Sequence, residues 1–161
     1  MNINLLDKFT ESVLKIINEK KIKNIVTIGS SSIPEIFLMN KIDELKLENI
    51  NMCIFSLNLS NKRVGCIKMY NNKYKILNSL IVNNRIYNFD YIRNKKDIFL
   101  DSCAIFLFKY NINNLKLYEK IIYYLYKNNI ENIYNIHLDD NQNLYILLES
   151  VHYLNLYCKK N

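Results

Sequence analysis

The chain has 161 residues, half of them hydrophobic, and carries a formal net charge of +7. This length predicts one domain that can bury a sizeable core, and the apolar content excludes a disordered tail. An unbroken apolar stretch of about 18 residues is absent, which excludes a transmembrane helix, and the N-terminus lacks the pattern of a signal peptide. We therefore expect a single domain over residues 1–161, in the cytoplasm and without a membrane partner.

The positive charge raises the question of nucleic-acid binding. Asn, Lys, Ile and Tyr are all heavily used, and their shared AT-rich codons make genomic bias the simpler explanation. Arginine, the preferred bidentate ligand of phosphate and guanine, occurs only at Arg63, Arg85 and Arg93. We expect no nucleic-acid partner. RNA or ribosome association through the basic surface is a third hypothesis, and affinity that barely changes between low and physiological salt would exclude an electrostatic phosphate mode.

The first predicted elements are an amphipathic helix and a buried strand. Leu5 to Ile17 place their apolar residues on one helical face, and the β-branched run Ile25 to Ile28 predicts a strand. Gly29 suits a sharp exit because glycine adopts angles that other residues avoid. Ser32 lies three residues before Glu35, which is the capping-box spacing of a helix start. The chain is therefore organised around a strand–turn–helix unit.

The turn after this first strand is the candidate small-molecule site. Free backbone N–H groups at helix starts attract anions in many α/β proteins. Glycine-rich phosphate loops need more glycine than this turn contains, so we favour a structural turn. The alternative is a Rossmann-like small-molecule or nucleotide-binding protein, resembling a transferase, with the candidate residues Gly29, Ser30, Ser31 and Ser32.

The middle of the chain predicts strands without intervening helices. Asn51 to Leu59 is a second strand, and three strand-like runs follow at Arg63–Tyr70, Tyr74–Val82 and Arg85–Ile92. Asn pairs separate these runs, and Asn tolerates the left-handed angles of tight hairpins. The pattern predicts an antiparallel meander. It departs from a standard doubly wound sheet, which would have a helix in this part of the chain.

Strands and helices alternate again toward the C-terminus. Asp97 to Phe108 is the most apolar run and predicts a strand at the sheet centre. A helical face begins at Leu115, and Ile130 to Leu138 is a further strand, followed by a turn at 139–143. The segment from Leu144 fits either a strand or a helix, and we expect a strand that gives way to a short terminal helix or tail. Together these elements predict an α/β domain with a mixed sheet, an antiparallel meander and flanking helices.

No constellation in the sequence predicts an enzyme. Asp101 to Cys103 places three reactive types together, but no histidine base is implied nearby, so a buried strand is the simpler interpretation. His137, among apolar neighbours, fits a structural role. The cysteines are widely spaced, and Asp139-Asp140 fits a solvated turn better than a metal site. We expect no catalytic residues, metal or other cofactor.

Three short patches resemble the proteasome assembly chaperone 1 family. They are Ile25 to Gly29 with Met39-Asn40, Val64 to Asn71 with its Val-Gly-Cys run, and Ile98 to Leu100 with Cys103. The resemblance implies a non-enzymatic α/β protein that pairs with a second assembly chaperone. It also implies that the pair holds proteasome α-subunits while their ring assembles.

Members of that family typically end in a hydrophobic–Tyr–any tail that docks between α-subunits. Leu156, Tyr157 and Cys158 repeat this pattern, although Lys159, Lys160 and Asn161 follow them and displace the terminal carboxylate. These three residues are the candidate partner-binding residues. The resulting functional hypothesis is a protein-binding or assembly factor, an interpretation that the many tyrosines favour.

Overall fold

The computed structural model describes residues 3–29, 38, 41, 44–45, 50–58, 63–70, 73–81, 104–112 and 115–160, the strands between 51 and 81 as backbone. In chain order the elements are α1 (Ile3–Lys20), β1 (Asn24–Gly29), β2 (Asn51–Asn58), β3 (Arg63–Tyr70), β4 (Lys73–Ile81), β5 (Ala104–Leu107), a 3-10 turn (Lys109–Asn111), α2 (Leu115–Lys127), β6 (Asn132–Leu138), β7 (Leu144–Ser150) and α3 (Val151–Lys160).

The strands form a seven-stranded mixed sheet in the order β4-β3-β2-β1-β5-β6-β7. β2, β1, β5 and β6 run parallel, whereas β3, β4 and β7 are antiparallel to their neighbours. The predicted α/β class with a mixed sheet is confirmed. The meander is confirmed in part, since β3 and β4 pair as expected and the third predicted strand, 85–92, lies outside the described residues.

The sheet has helices on both faces, and each face carries its own core. α1 covers one face, where Phe9 and Phe108 are fully buried and their ring centroids lie 4.9 Å apart. α2 and α3 cover the other face, where Ile121 of α2 packs in one cluster with Val26 of β1 and Val151 of α3. Because successive strand residues point to opposite faces, Ile25 of β1 joins the first core and Val26 the second.

The centre of the sheet differs from the sequence-based prediction. β1 is the middle strand, and β5 lies beside it between β1 and β6. Of the predicted strand at 97–108, residues 97–103 lie outside the described part, and the described strand is Ala104–Leu107. High apolar content identified a strand buried on both faces, but both β1 and β5 meet that condition, so composition alone could not rank them.

The ambiguous C-terminal segment is a strand followed directly by a helix. β7 pairs antiparallel with β6 along its whole length, and the N–H of Val151 still donates to the carbonyl of Glu131 at 2.9 Å. α3 starts at that residue. A strand giving way to a short helix is therefore confirmed.

Gly29 ends β1 without using the conformational freedom expected of it. Its φ is not positive, and it lies in parallel register with Ser56 of β2. The residue is buried, so the absence of a side chain, rather than a left-handed turn, explains glycine here. The predicted helix start at 32–35 lies outside the described residues.

Gly29→Val should destabilise the domain by roughly 1–3 kcal/mol, because a branched side chain must be forced into a packed site between neighbouring strands. Gly29→Ala should give a smaller loss. Thermal and urea unfolding measure both. An unchanged melting temperature in the valine variant would contradict the tight packing inferred at the end of β1.

Candidate interaction surface

α3 carries apolar groups on both of its sides. Its inner side is built at helical spacing by Val151, which is fully buried, and by Leu154 and Cys158, which pack against the α2 core. Its outer side carries Tyr153 and Tyr157, one turn apart and 73% and 67% exposed. The inner contacts fix the helix, and the outer rings stand in solvent.

A groove of about 530 Å³ runs between α3 and the end of β7. We call it the α3–β7 groove; its lining residues are Glu149, Ser150, Tyr153, Leu154, Leu156 and Tyr157. Most of this lining is apolar, with one carboxylate at the β7 end. The surface is thus suited to apolar side chains rather than to a polar metabolite.

Aromatic side chains extend this surface across to α2. The ring centroid of Tyr126 lies 6.1 Å from that of His152, which lies 5.9 Å from that of Tyr153. Tyr126 is itself partly exposed. The exposed aromatic area therefore continues from α3 onto the neighbouring helix.

A polar network lies behind the groove and positions Glu149. Asn135 Nδ2 donates to Tyr118 Oη at 3.0 Å and more weakly to Glu149 Oε2 at 3.5 Å. His137 Nε2 lies 2.7 Å from Glu149 Oε1. We call these four residues the Tyr118 network. The network contacts both oxygens of the Glu149 carboxylate. Its bond to Glu149 gives His137 the structural role expected from the sequence.

Burial controls the ionisation of Tyr118. The pKa of its phenol is raised from 10.0 to about 12. Desolvation is the main cause, the hydrogen bond from Asn135 opposes the shift, and the Glu149 carboxylate adds to it. The phenol is therefore neutral at physiological pH and serves as an acceptor for the Asn135 amide. Such a group holds a side chain in place and does not act as a base near neutral pH.

The three partner-binding candidates from the sequence separate onto two sides of α3. Leu156 and Tyr157 face the groove, whereas Cys158 packs partly buried against the α2 side, where burial first and then the Glu119 charge raise the pKa of its thiol. Sequence reasoning missed Tyr153 and Glu149 as groove residues. The four-residue spacing of Tyr153 and Tyr157 would have identified the first, because it places both rings on one helical face.

The carboxylate of Asp139 closes the β6–β7 hairpin. It accepts hydrogen bonds from the N–H groups of Asn141 and Asn143, from the Asn143 amide and from the Tyr145 hydroxyl. The backbone bond from Asn143 is the main cause of a lowered Asp139 pKa. Asp139 thus lies in the turn predicted at 139–143 and supplies its acceptor. A search of the described residues finds no group of three or more potential metal ligands.

The small-molecule candidates are described only at Gly29. This residue lies at the carboxyl end of β1, beside β5, where the strand order reverses and open α/β sheets often bind ligands. Ser30, Ser31 and Ser32 lie outside the described residues, as does the Asp101 to Cys103 run. The structure therefore gives the position of only one of the four candidate residues, Gly29.

Comparison of the chain with protein-family models, curated proteins and solved structures yields no match. Among the helices of the described residues, none has the length and apolarity needed to cross a membrane.

Tyr118→Phe should flatten the loss of stability at high pH. The unfolded phenol loses its proton near pH 10 and the folded one near 12, so between these values the unfolded state binds fewer protons and the free energy of unfolding falls as pH rises. The contribution is fully present below pH 10 and is lost by about 12.

Urea titrations of the wild type and Tyr118→Phe at several pH values between 10 and 12 measure this slope. Tyr123→Phe is the control because that ring is half exposed on α2. Equal slopes for the wild type and Tyr118→Phe would contradict the buried, neutral phenol.

Proposed function

We propose that this chain is a non-enzymatic protein-binding factor, active in the cytoplasm, whose partner contacts α3 and the α3–β7 groove. The observation that carries the proposal is the exposure of Tyr153 and Tyr157 on a helix whose other side is anchored in the core. Tyrosine combines a large apolar ring with a polar tip and is enriched at protein interfaces.

The energetics favour a protein partner at this site. Each tyrosine ring offers a large apolar area, and apolar burial is worth about 25 cal/mol per Å². α3 is already ordered by the burial of Val151 and Asn155, so binding requires little additional ordering of the backbone. Tyrosines fixed in this way often dominate the energy of an interface.

A more specific proposal follows from the family resemblance. In it, the chain works with a second assembly chaperone on proteasome α-subunits, and Tyr157 is a contact residue. The exposed ring of Tyr157 and the α/β fold support this proposal. α3 remains helical through Lys160, so the contact would be made by the side of a helix rather than by an extended tail.

A second candidate function is a Rossmann-like small-molecule or nucleotide binder. The position of Gly29 at the point of strand-order reversal favours it. Saturable thermal stabilisation by a nucleotide or S-adenosylmethionine, lost in Gly29→Val, would support this function over protein binding.

Tyr157→Ala and Tyr153→Ala should each weaken the partner complex by about ten-fold or more, because each removes an aromatic contact at the centre of the surface. The melting temperature should stay nearly unchanged, since exposed substitutions usually alter stability by less than about 0.5 kcal/mol. A photo-crosslinking residue at position 157 identifies the partner, and titration with the purified partner measures affinity.

Tyr123→Ala is the matched control, an exposed tyrosine on α2 that does not line the groove. It should leave affinity unchanged. A partner that binds all three variants as tightly as the wild type would place its contact elsewhere. A parallel fall in melting temperature and affinity would assign the tyrosines to packing instead.

A further inference from the structure

We infer that the outer edge of β7 is a self-association interface at which a second copy of this chain adds its own β7 in antiparallel orientation. The inference rests on the strand itself and not on the function proposed for α3. Two sheets would then join into one across a two-fold axis, which is the commonest symmetry of soluble oligomers.

The hydrogen-bonding pattern leaves one edge of β7 open. The N–H of Asp139 donates to the carbonyl of Asn143, and that of Val151 to the carbonyl of Glu131, which fixes the alternation along the hairpin. Odd-numbered residues of β7 therefore direct their backbone groups to β6. Leu144, Ile146, Leu148 and Ser150 direct theirs outward, and among the described residues no strand pairs with them.

β7 itself contains neither the residue types nor the bulge that most often keep an edge strand from pairing. Its sequence, Leu-Tyr-Ile-Leu-Leu-Glu-Ser, contains neither lysine nor proline, and its register with β6 is regular. Leu147 is 49% exposed on the α3 side and Leu148 58% exposed on the α1 side. Its only charge, Glu149, is engaged by His137. The strand thus offers apolar groups on both faces to an added strand.

The strand is complementary to itself in one register. Pairing all seven residues antiparallel places the two-fold axis at Leu147, with Leu147 facing Leu147 of the second copy. Tyr145 then faces Glu149 of the second copy, and Ile146 faces Leu148 of the second copy. No like charges oppose each other, and every outward backbone group of β7 meets a partner.

The β7 end of the α3–β7 groove lies next to the strand that the second copy would add. In this register a strand added at the β7 edge carries its α3-side residues past Glu149, at the β7 end of the groove. In the second copy those residues are Tyr145 and Leu147, both about half exposed in the single chain. The self-complementary edge of β7 identifies a second copy of this chain as its occupant, and the exposed rings on the outer side of α3 remain available to the partner proposed above.

Charged substitutions at Leu147 test the pairing and its register together. Leu147→Lys and Leu147→Glu each place two like charges face to face across the axis, and each should raise the dimer dissociation constant at least about ten-fold. Because the facing residues are identical, an equimolar mixture of the two variants should restore the dimer. Sedimentation equilibrium measures the dimer dissociation constants of the wild-type chain, of each variant and of their mixture.

Leu115→Lys is the matched control, an exposed leucine on α2 with 62% of its surface in solvent. It should dimerise like the wild type, and circular dichroism confirms that every variant is folded. A wild-type chain that stays monomeric up to the solubility limit overturns the inference. So does a dimer that Leu115→Lys disrupts equally, or one that the mixture of variants fails to restore.

Discussion

The antiparallel pairing of β7 with β6 is held at both of its ends, and the arrangement of the surface depends on it. At the turn, the Asp139 carboxylate accepts the backbone N–H of Asn143 at 2.8 Å; at the far end, Val151 donates to Glu131 at 2.9 Å. Between these points the register is uninterrupted. A slip of one residue would turn every β7 side chain to the opposite face, so these end contacts decide which groups reach the groove.

This register explains why a carboxylate lies in an otherwise apolar groove. Glu149 faces the α2 and α3 side, where Asn135 and His137 hold its two oxygens. The buried phenol of Tyr118, on α2, accepts a hydrogen bond from the side-chain amide of Asn135. The network links one helix to the two C-terminal strands and positions the Glu149 side chain before any partner arrives, and a preorganised group loses little entropy on binding.

Local signals in the sequence predicted most elements in the described part of the chain. α1 follows from its apolar stripe, β1 from its β-branched run and the 139–143 turn from Asp139 and its neighbours. One detail within these elements differs from the prediction. The apolar pattern predicts a helical face that begins at Leu115, but Leu115 is exposed and the buried face of α2 begins at Leu117.

The functional surface was less accessible to sequence reasoning. The tail pattern groups Leu156, Tyr157 and Cys158 as neighbours in sequence, whereas helical geometry sends Cys158 to the core side and brings Tyr153 beside Tyr157. The Tyr118–Asn135 bond joins residues 17 positions apart, and no local pattern encodes such a contact. Likewise, an open strand edge is a property of the sheet order, which periodicity does not reveal.

Residue-resolved amide hydrogen exchange along β7 tests most directly whether this edge and the adjoining groove form the interaction surface. The N–H groups of Tyr145 and Leu147 bond to β6 and should be protected at every protein concentration. Those of Ile146 and Leu148 should exchange quickly in dilute protein and become protected as the protein concentration rises. Outward amides that exchange quickly under all conditions, or that are already protected in the isolated monomer, would contradict an open edge that serves as an interface.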